Sequence, residues 1–342
     1  MNTTWIYSLF NTLSQSVIIP NIISWLIVIP SSILYITELV VIFSSKESCY
    51  KSSFFKLFVS IIGLIGHILY LRIGRLGLFL PLYLRLPPIL FSIFYFIAVH
   101  FFYVEGMATA MLLLNRLSAL VWPLKYEIIW KKLKYWPIIF VFIFPLFLSS
   151  HVLFLVIIVW VHNDNNTFTL YTKINPWKII IYTNDINDLL ITTVFCLFFT
   201  IFCLFINIAC LFVYKKTKIV NSQAMNSKQK METKLTIYSI LTFIGQLLYS
   251  IYIIILYISV FQLQNFGIDI DFIELIFLTV FNQFAWVNDL CTIAVPSFLL
   301  LWASEKMNTH IYLIIQKIIC LPKIIYYLQH NNKTNVFKTI YI

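Results

Sequence analysis

Seven long apolar runs, separated by shorter polar segments, constrain this chain more than any other feature. They span Ile18–Phe43, Phe54–Leu71, Ile89–Val121, Tyr135–Val161, Asp188–Val213, Leu235–Leu263 and Leu275–Trp302. A helix needs roughly 17–25 mostly apolar residues to cross the hydrocarbon of a bilayer. Each run meets that length. The runs are continuous rather than alternating, which favours helices over the strands of a membrane barrel. Composition agrees: 61% of the 342 residues are apolar and 11% are charged, against about 25% charged in a soluble domain. The polar surface is too small to cover two soluble globules. The expected fold is an all-α membrane protein, a seven-transmembrane helix bundle.

The net charge is +11, which in a soluble protein would raise the question of nucleic acid. Here the cations sit in the segments between apolar runs, where they act as topology signals and attract anionic lipid. Nucleic acid is therefore not an expected partner; the lipid bilayer is. With the amino terminus outside, nineteen lysines and arginines fall on cytoplasmic segments and five, including Arg72 and Arg75, fall outside. Basic residues concentrate on the cytoplasmic side of membrane proteins, so this orientation is expected. Residues 1–17 are then an extracellular amino terminus, 18–302 the bundle and 303–342 a cytoplasmic tail. The amino terminus has no basic residue before its first apolar run, unlike a cleaved signal peptide. A multi-pass protein of the plasma membrane is expected.

Smaller features fit this frame. Sequons at Asn2 and Asn165 fall on outside segments and are glycosylation candidates; a third, at Asn332, falls in the tail. Met307, Ile311, Ile314, Ile315, Ile318 and Ile319 share one helical face, the pattern of a short amphipathic helix lying on the inner leaflet. Cys320 at its end is a candidate for palmitoylation or a plain buried thiol. Cys196, Cys203 and Cys210 recur every seven residues and are expected as small packing residues on one helix face.

Ionisable groups inside a membrane are costly and mark function. Glu105 lies near the middle of the third run, His100 about one turn above it, and Asp289 near the middle of the seventh. One reading joins Glu105, Asp289 and His100 in an interior polar network; the other treats the two acids as protonated structural groups. His67 and His100 have no second ligand at helical spacing, so no metal is expected, and no cofactor motif is present. Arg116 sits where the third run ends, either reaching headgroups or offering a cationic switch to a cytoplasmic partner. Glu232, about one turn before the sixth run, is its candidate resting-state partner, with Glu127 the runner-up.

The run Leu113-Leu114-Asn115-Arg116, followed by Pro123-Leu124-Lys125-Tyr126-Glu127 and Ile129-Trp130-Lys131-Lys132, resembles the nematode serpentine receptor class gamma family. Arg85-Leu86-Pro87 fits the same pattern, as do Asp289, Thr292, Val295-Pro296 and Leu299-Leu300-Leu301 in the seventh run. The likeness covers most of the chain. It implies a rhodopsin-like bundle and a chemosensory G-protein-coupled receptor that binds a small-molecule ligand and signals through a heterotrimeric G protein. Arg116, Lys125, Tyr126, Lys131, Lys132 and Glu232 would then form the coupling surface. The chain departs from ordinary rhodopsin-like receptors at several points. Asn115 stands where an acid usually precedes the arginine, no Asn-Pro-x-x-Tyr motif closes the seventh run, the sixth has no proline, and no cysteine is placed to form the usual outer disulfide.

Two other classes compete. A small-solute transporter or channel is the alternative, but such folds favour internal repeats and broken helices; only 7 glycines are present and the halves show no repeat. An intramembrane enzyme would need paired aspartates, a His-Glu-x-x-His helix or a nucleophile with its base, and the sequence has none of these.

Overall fold

The third span, Pro88–Val121, is the post around which the bundle is built. In the computed structural model it packs against the second, fourth, fifth and sixth spans, while the first span closes the ring against the second and seventh. Pro87 and Pro88 start it with backbone angles suited to a first helical turn, and Pro123 follows its end. Small residues let its neighbours approach: Ala98, Gly106, Ala108 and Ala110 are all buried or inward-facing. The structure describes residues 3–15, 18–44, 51–122, 124–133, 135–161, 167–172, 188–220, 227–303 and 309.

Among these, seven helices are long and apolar enough to cross a membrane: Ile18–Val40, Phe58–Arg75, Pro88–Val121, Trp136–Phe154, Leu189–Lys215, Thr236–Phe261 and Ile270–Ala303. The seven-span fold expected from the sequence is the one observed. The fifth span shows how the chain sorts core from lipid. Cys196, Cys203 and Cys210 face inward, whereas Phe198, Phe205 and Phe212, at the same seven-residue spacing, face outward. Exposed phenylalanines on such a surface are stable only against lipid.

Three boundaries differ from the sequence reading. The second span does not stop at Leu71; it continues through a π-helical turn, Ile68–Arg72, to Arg75. Arg72 and Arg75, expected in an outer segment, are therefore buried within the bundle. The apolar pattern does not break at the arginines, because Ile73, Leu76, Leu78 and Leu80 continue it. The fourth span ends at Phe154, and Ile157–Val161, expected inside it, forms a strand instead. A run rich in β-branched residues fits a pleated surface as well as it fits a helix. The seventh helix begins at Ile270 rather than Leu275 and passes through a π-helical turn at Leu290–Ala294.

Strand β1 (Ile157–Val161) pairs antiparallel with β2 (Phe168–Thr172), Ile157 opposite Thr172 and Val161 opposite Phe168. This hairpin caps one end of the bundle. Phe168 is fully buried against Tyr83 and near Phe91. Gly74 makes its seat possible, since a Cβ there would lie 2.4 Å from the Phe168 carbonyl oxygen. Tyr83 donates to the Leu69 carbonyl at 2.8 Å, Ser92 to the Leu155 carbonyl at 2.5 Å and Tyr70 to the Leu170 carbonyl at 3.3 Å. Burial in this cluster pushes the Tyr83 phenol above its ordinary range. Aromatic packing and hydrogen bonds thus hold the cap.

Residues 1–17 are not wholly irregular. Thr3–Gln15 is a helix that packs along the start of the seventh span through Tyr7 and Phe10 against Phe272. The amphipathic tail helix, Cys320 and Asn332 lie outside the described residues.

Candidate functional site

Three polar clusters stand out in the apolar interior among the described residues. The first joins spans two, seven and one. The Arg72 guanidinium donates to the Asp289 carboxylate in a buried ion pair, and Ser24 donates to the other carboxylate oxygen at 2.5 Å. Both charged residues border π-helical turns: Arg72 ends the one in the second span and Asp289 precedes the one in the seventh. One turn beyond, the Arg75 guanidinium lies 4.6 Å from the centre of the Phe281 ring, a cation–π contact between the same two spans. The Thr292 carbonyl, whose ordinary helical partner four residues on is Pro296 and carries no N–H, accepts from the Tyr35 hydroxyl of span one at 3.3 Å.

The second site lies deeper, at Glu105. Its Oε1 accepts from Ser60 of the second span at 2.7 Å. Glu105 also lines a small, partly open cavity of about 30 Å³ among spans three, five, six and seven. Gly106 helps to leave this space: a Cβ there would sit 3.0 Å from the Phe195 ring. Phe102, Phe195 and Tyr249 wall one side, with Phe102 5.5 Å from Tyr249 and 6.3 Å from Phe195 between ring centres.

The third site is at the end opposite the hairpin. Asn115 and Arg116 are buried at 4% and 2% exposure. Tyr126 donates to the Asn115 side-chain carbonyl at 2.8 Å, Trp130 donates to the Ser118 hydroxyl at 2.8 Å, and Ser118 donates to the Asn115 backbone carbonyl at 2.8 Å. These bonds fasten a short helix, Tyr126–Leu133, beneath the third span. Its outer surface carries Lys131 and Lys132, with Lys125 just before it, all exposed.

The residues singled out from the sequence fall as follows. Glu105, Asp289 and His100 engage different partners: Ser60, then Arg72 with Ser24, and then Ser149, whose hydroxyl lies 3.1 Å from His100 Nδ1. Arg116, Lys125, Tyr126, Lys131 and Lys132 gather at one end. Glu232 lies in the helix Ser227–Phe261, four residues before its spanning part begins at Thr236, but its side chain is outside the described set, as are Asn2 and Asn165. Among the described residues, no group of three or more His, Cys, Asp or Glu could hold a metal ion. The sequence reading missed Arg72, Arg75, Ser24 and Ser60. The continued apolar pattern after Arg72 was the available signal for the arginines; the serines carried none, since a lone serine in an apolar run usually bonds its own helix.

Seven apolar helices, six of them arranged about a central third span and two of them joined by a buried ion pair, form a seven-transmembrane bundle. A profile of the serpentine type 7TM GPCR chemoreceptor Srv family matches residues 24–317, and the chain belongs to that family. It is a multi-pass membrane protein and a chemosensory receptor of the G-protein-coupled type. The serpentine chemoreceptor resemblance read from the sequence thus holds, with Srv as the class matched. A search of curated proteins finds no match.

Proposed function

We propose that this receptor binds a small molecule within the helix bundle, and that a heterotrimeric G protein engages the end where Arg116 lies. The observation that carries the reading is the third site. A short basic helix is held under the third span by two side-chain hydrogen bonds, to Asn115 and Ser118, and presents exposed Lys131 and Lys132 beside a buried arginine. That is a surface for a partner with acidic groups, coupled directly to the central helix. The receptor acts by shifting a two-state equilibrium rather than by covalent chemistry.

In this reading the hairpin end faces outward at the plasma membrane and the Arg116 end faces the cytoplasm. The burial of Arg72 and Arg75 supports it, because their removal from the outer segments leaves even fewer cations there. Asn165, in the segment between β1 and β2, and Asn2 would then be open to glycosylation. Arg116 pairs with Glu232 in the resting state and releases it on activation.

The test is nucleotide exchange on purified Gα subunits by the full receptor in nanodiscs. The double variant Lys131→Glu/Lys132→Glu should reduce exchange several-fold while its melting temperature stays at the wild-type value. Unchanged exchange would remove this surface from coupling. Orientation is read separately, by antibody access to tags at each terminus in intact cells.

A further inference from the structure

We propose that the cavity at Glu105 is a binding site for a small primary amine in its protonated form. The inference rests on the receptor reading above and names the chemistry of its ligand.

Among the described residues lining the cavity, Glu105 carries the only carboxylate and there is no lysine, arginine or histidine. The aromatic wall of Phe102, Phe195 and Tyr249 presents ring faces and edges around the same space. Aromatic faces attract a cation, the more so where water is excluded. Carboxylate and rings therefore favour the same sign of charge.

The uncharged polar groups agree. Thr109 commits its hydroxyl proton to the Glu105 backbone carbonyl at 3.1 Å, and Thr292 commits its own to the Asn288 carbonyl at 2.8 Å. Each is left with oxygen lone pairs to offer the cavity. The Gln246 Oε1 is buried, belongs to a residue that lines the cavity and has no hydrogen-bond partner among the described residues. A buried polar atom left without a partner costs about 1–3 kcal/mol, so an occupant that donates is favoured. The lining is rich in acceptors, and a primary ammonium brings three N–H donors and a positive charge.

The position suits signalling. Cys291 and Thr292, which line the cavity, belong to the π-helical turn that starts directly after Asp289. An occupant at Glu105 therefore presses on the segment of the seventh span that the Arg72 pair anchors.

The experiment uses the purified full-length receptor in nanodiscs without G protein, so that binding is read apart from coupling. Four amine hydrochlorides serve as probes: methylamine, butylamine, cyclohexylamine and 2-phenylethylamine. The neutral 2-phenylethanol, the anion phenylacetate and sodium against choline chloride are the controls. At least one amine should raise the melting temperature in a saturable way, and 2-phenylethanol and phenylacetate should not. Glu105→Gln should weaken that amine by about tenfold or more, and Glu105→Asp should retain part of the affinity. Because Glu105→Gln also touches the Ser60 bond, Gly106→Ala is the second variant; it narrows the cavity against Phe195 and should weaken the amine with Glu105 intact. Absence of stabilisation by all four amines, equal stabilisation by phenylacetate, or full amine affinity in Glu105→Gln overturns the proposal. So does a shift produced by sodium in place of the amines. Amine binding without Gα exchange would leave this site standing and sink the coupling proposal, whereas exchange without amine binding would do the reverse.

Discussion

Arg72 and Asp289 meet across the second and seventh spans as a buried ion pair, and each borders a π-helical turn in its own helix. A π turn inserts one extra residue and rotates everything beyond it. The two turns lie at the same level of the bundle, where Ser24 of the first span adds a hydrogen bond to Asp289. The pair thus fixes the rotation of two helices and ties a third to them.

Removing one partner should be far worse than removing both. Asp289→Ala leaves the Arg72 guanidinium buried without its counter-charge, which costs about 3–5 kcal/mol, so little folded receptor should reach the surface. Arg72→Met/Asp289→Leu replaces both charges with apolar side chains of similar bulk and should recover most of the surface protein. Surface labelling together with thermal melting reads the comparison. A double variant as poor as the single one would show that the pair does more than balance charge.

The hairpin cap should fail at its aromatic anchor. Phe168 is fully buried among Tyr83 and Phe91, and truncating such a side chain to alanine costs about 3–5 kcal/mol. Phe168→Ala should open β1–β2 to protease while the spans stay intact. Gly74→Val should do the same from the other side, because its Cβ would collide with the Phe168 carbonyl. Equal protease resistance in both variants would mean that the cap is held elsewhere.

The spans were legible in the sequence because the bilayer imposes a length and a polarity that single residues cannot disguise. The third, fifth and sixth runs were recovered nearly whole, and the inward stripe of Cys196, Cys203 and Cys210 followed from spacing alone. The failures share one cause. Arg72 and Arg75 ended the second run on the assumption that an arginine belongs in water, yet a partner on a distant helix reverses that preference, and Asp289 lies 217 residues away. The same local reading took Ile157–Val161 for helix, although its fate depends on the pocket that Tyr83, Phe91 and Gly74 build for Phe168. Glu105 and Asp289 were found by their rarity, but their partners Ser60 and Ser24 look like any other span serine until the fold brings them close.

Glu38 gives a prediction with the opposite sign to Asp289. It is fully buried in the first span, and neither carboxyl oxygen has a hydrogen-bond partner among the described residues. Replacing an unsatisfied buried polar group by an apolar one of similar shape is neutral or stabilising. Glu38→Met should therefore raise the melting temperature or leave it unchanged. A clear drop would show that the carboxyl has a partner the fold supplies only in another state.

Asn115 is the point where the coupling helix can be separated from the arginine beside it. Its side-chain carbonyl accepts from Tyr126 at 2.8 Å, and its backbone carbonyl accepts from Ser118, which in turn accepts from Trp130. Asn115→Leu removes the first bond and leaves the others, so the half-buried Tyr126 hydroxyl loses its acceptor at a cost of about 1–3 kcal/mol. The helix Tyr126–Leu133 should then be held by Trp130 alone and become the first segment cut by protease. Asn115→Asp behaves differently. It keeps an acceptor for Tyr126, so the helix stays docked, but it sets a carboxylate next to Arg116, whose guanidinium remains charged. If Arg116 must be available for coupling, Asn115→Asp should lower basal Gα exchange with the helix still protected, and Asn115→Leu should lower it with the helix released. The two variants thus reach the same loss by different routes, told apart by protease protection. Wild-type exchange in Asn115→Asp, with the protein folded and Tyr126–Leu133 protected, would show that the charge of Arg116 does not set the coupling state.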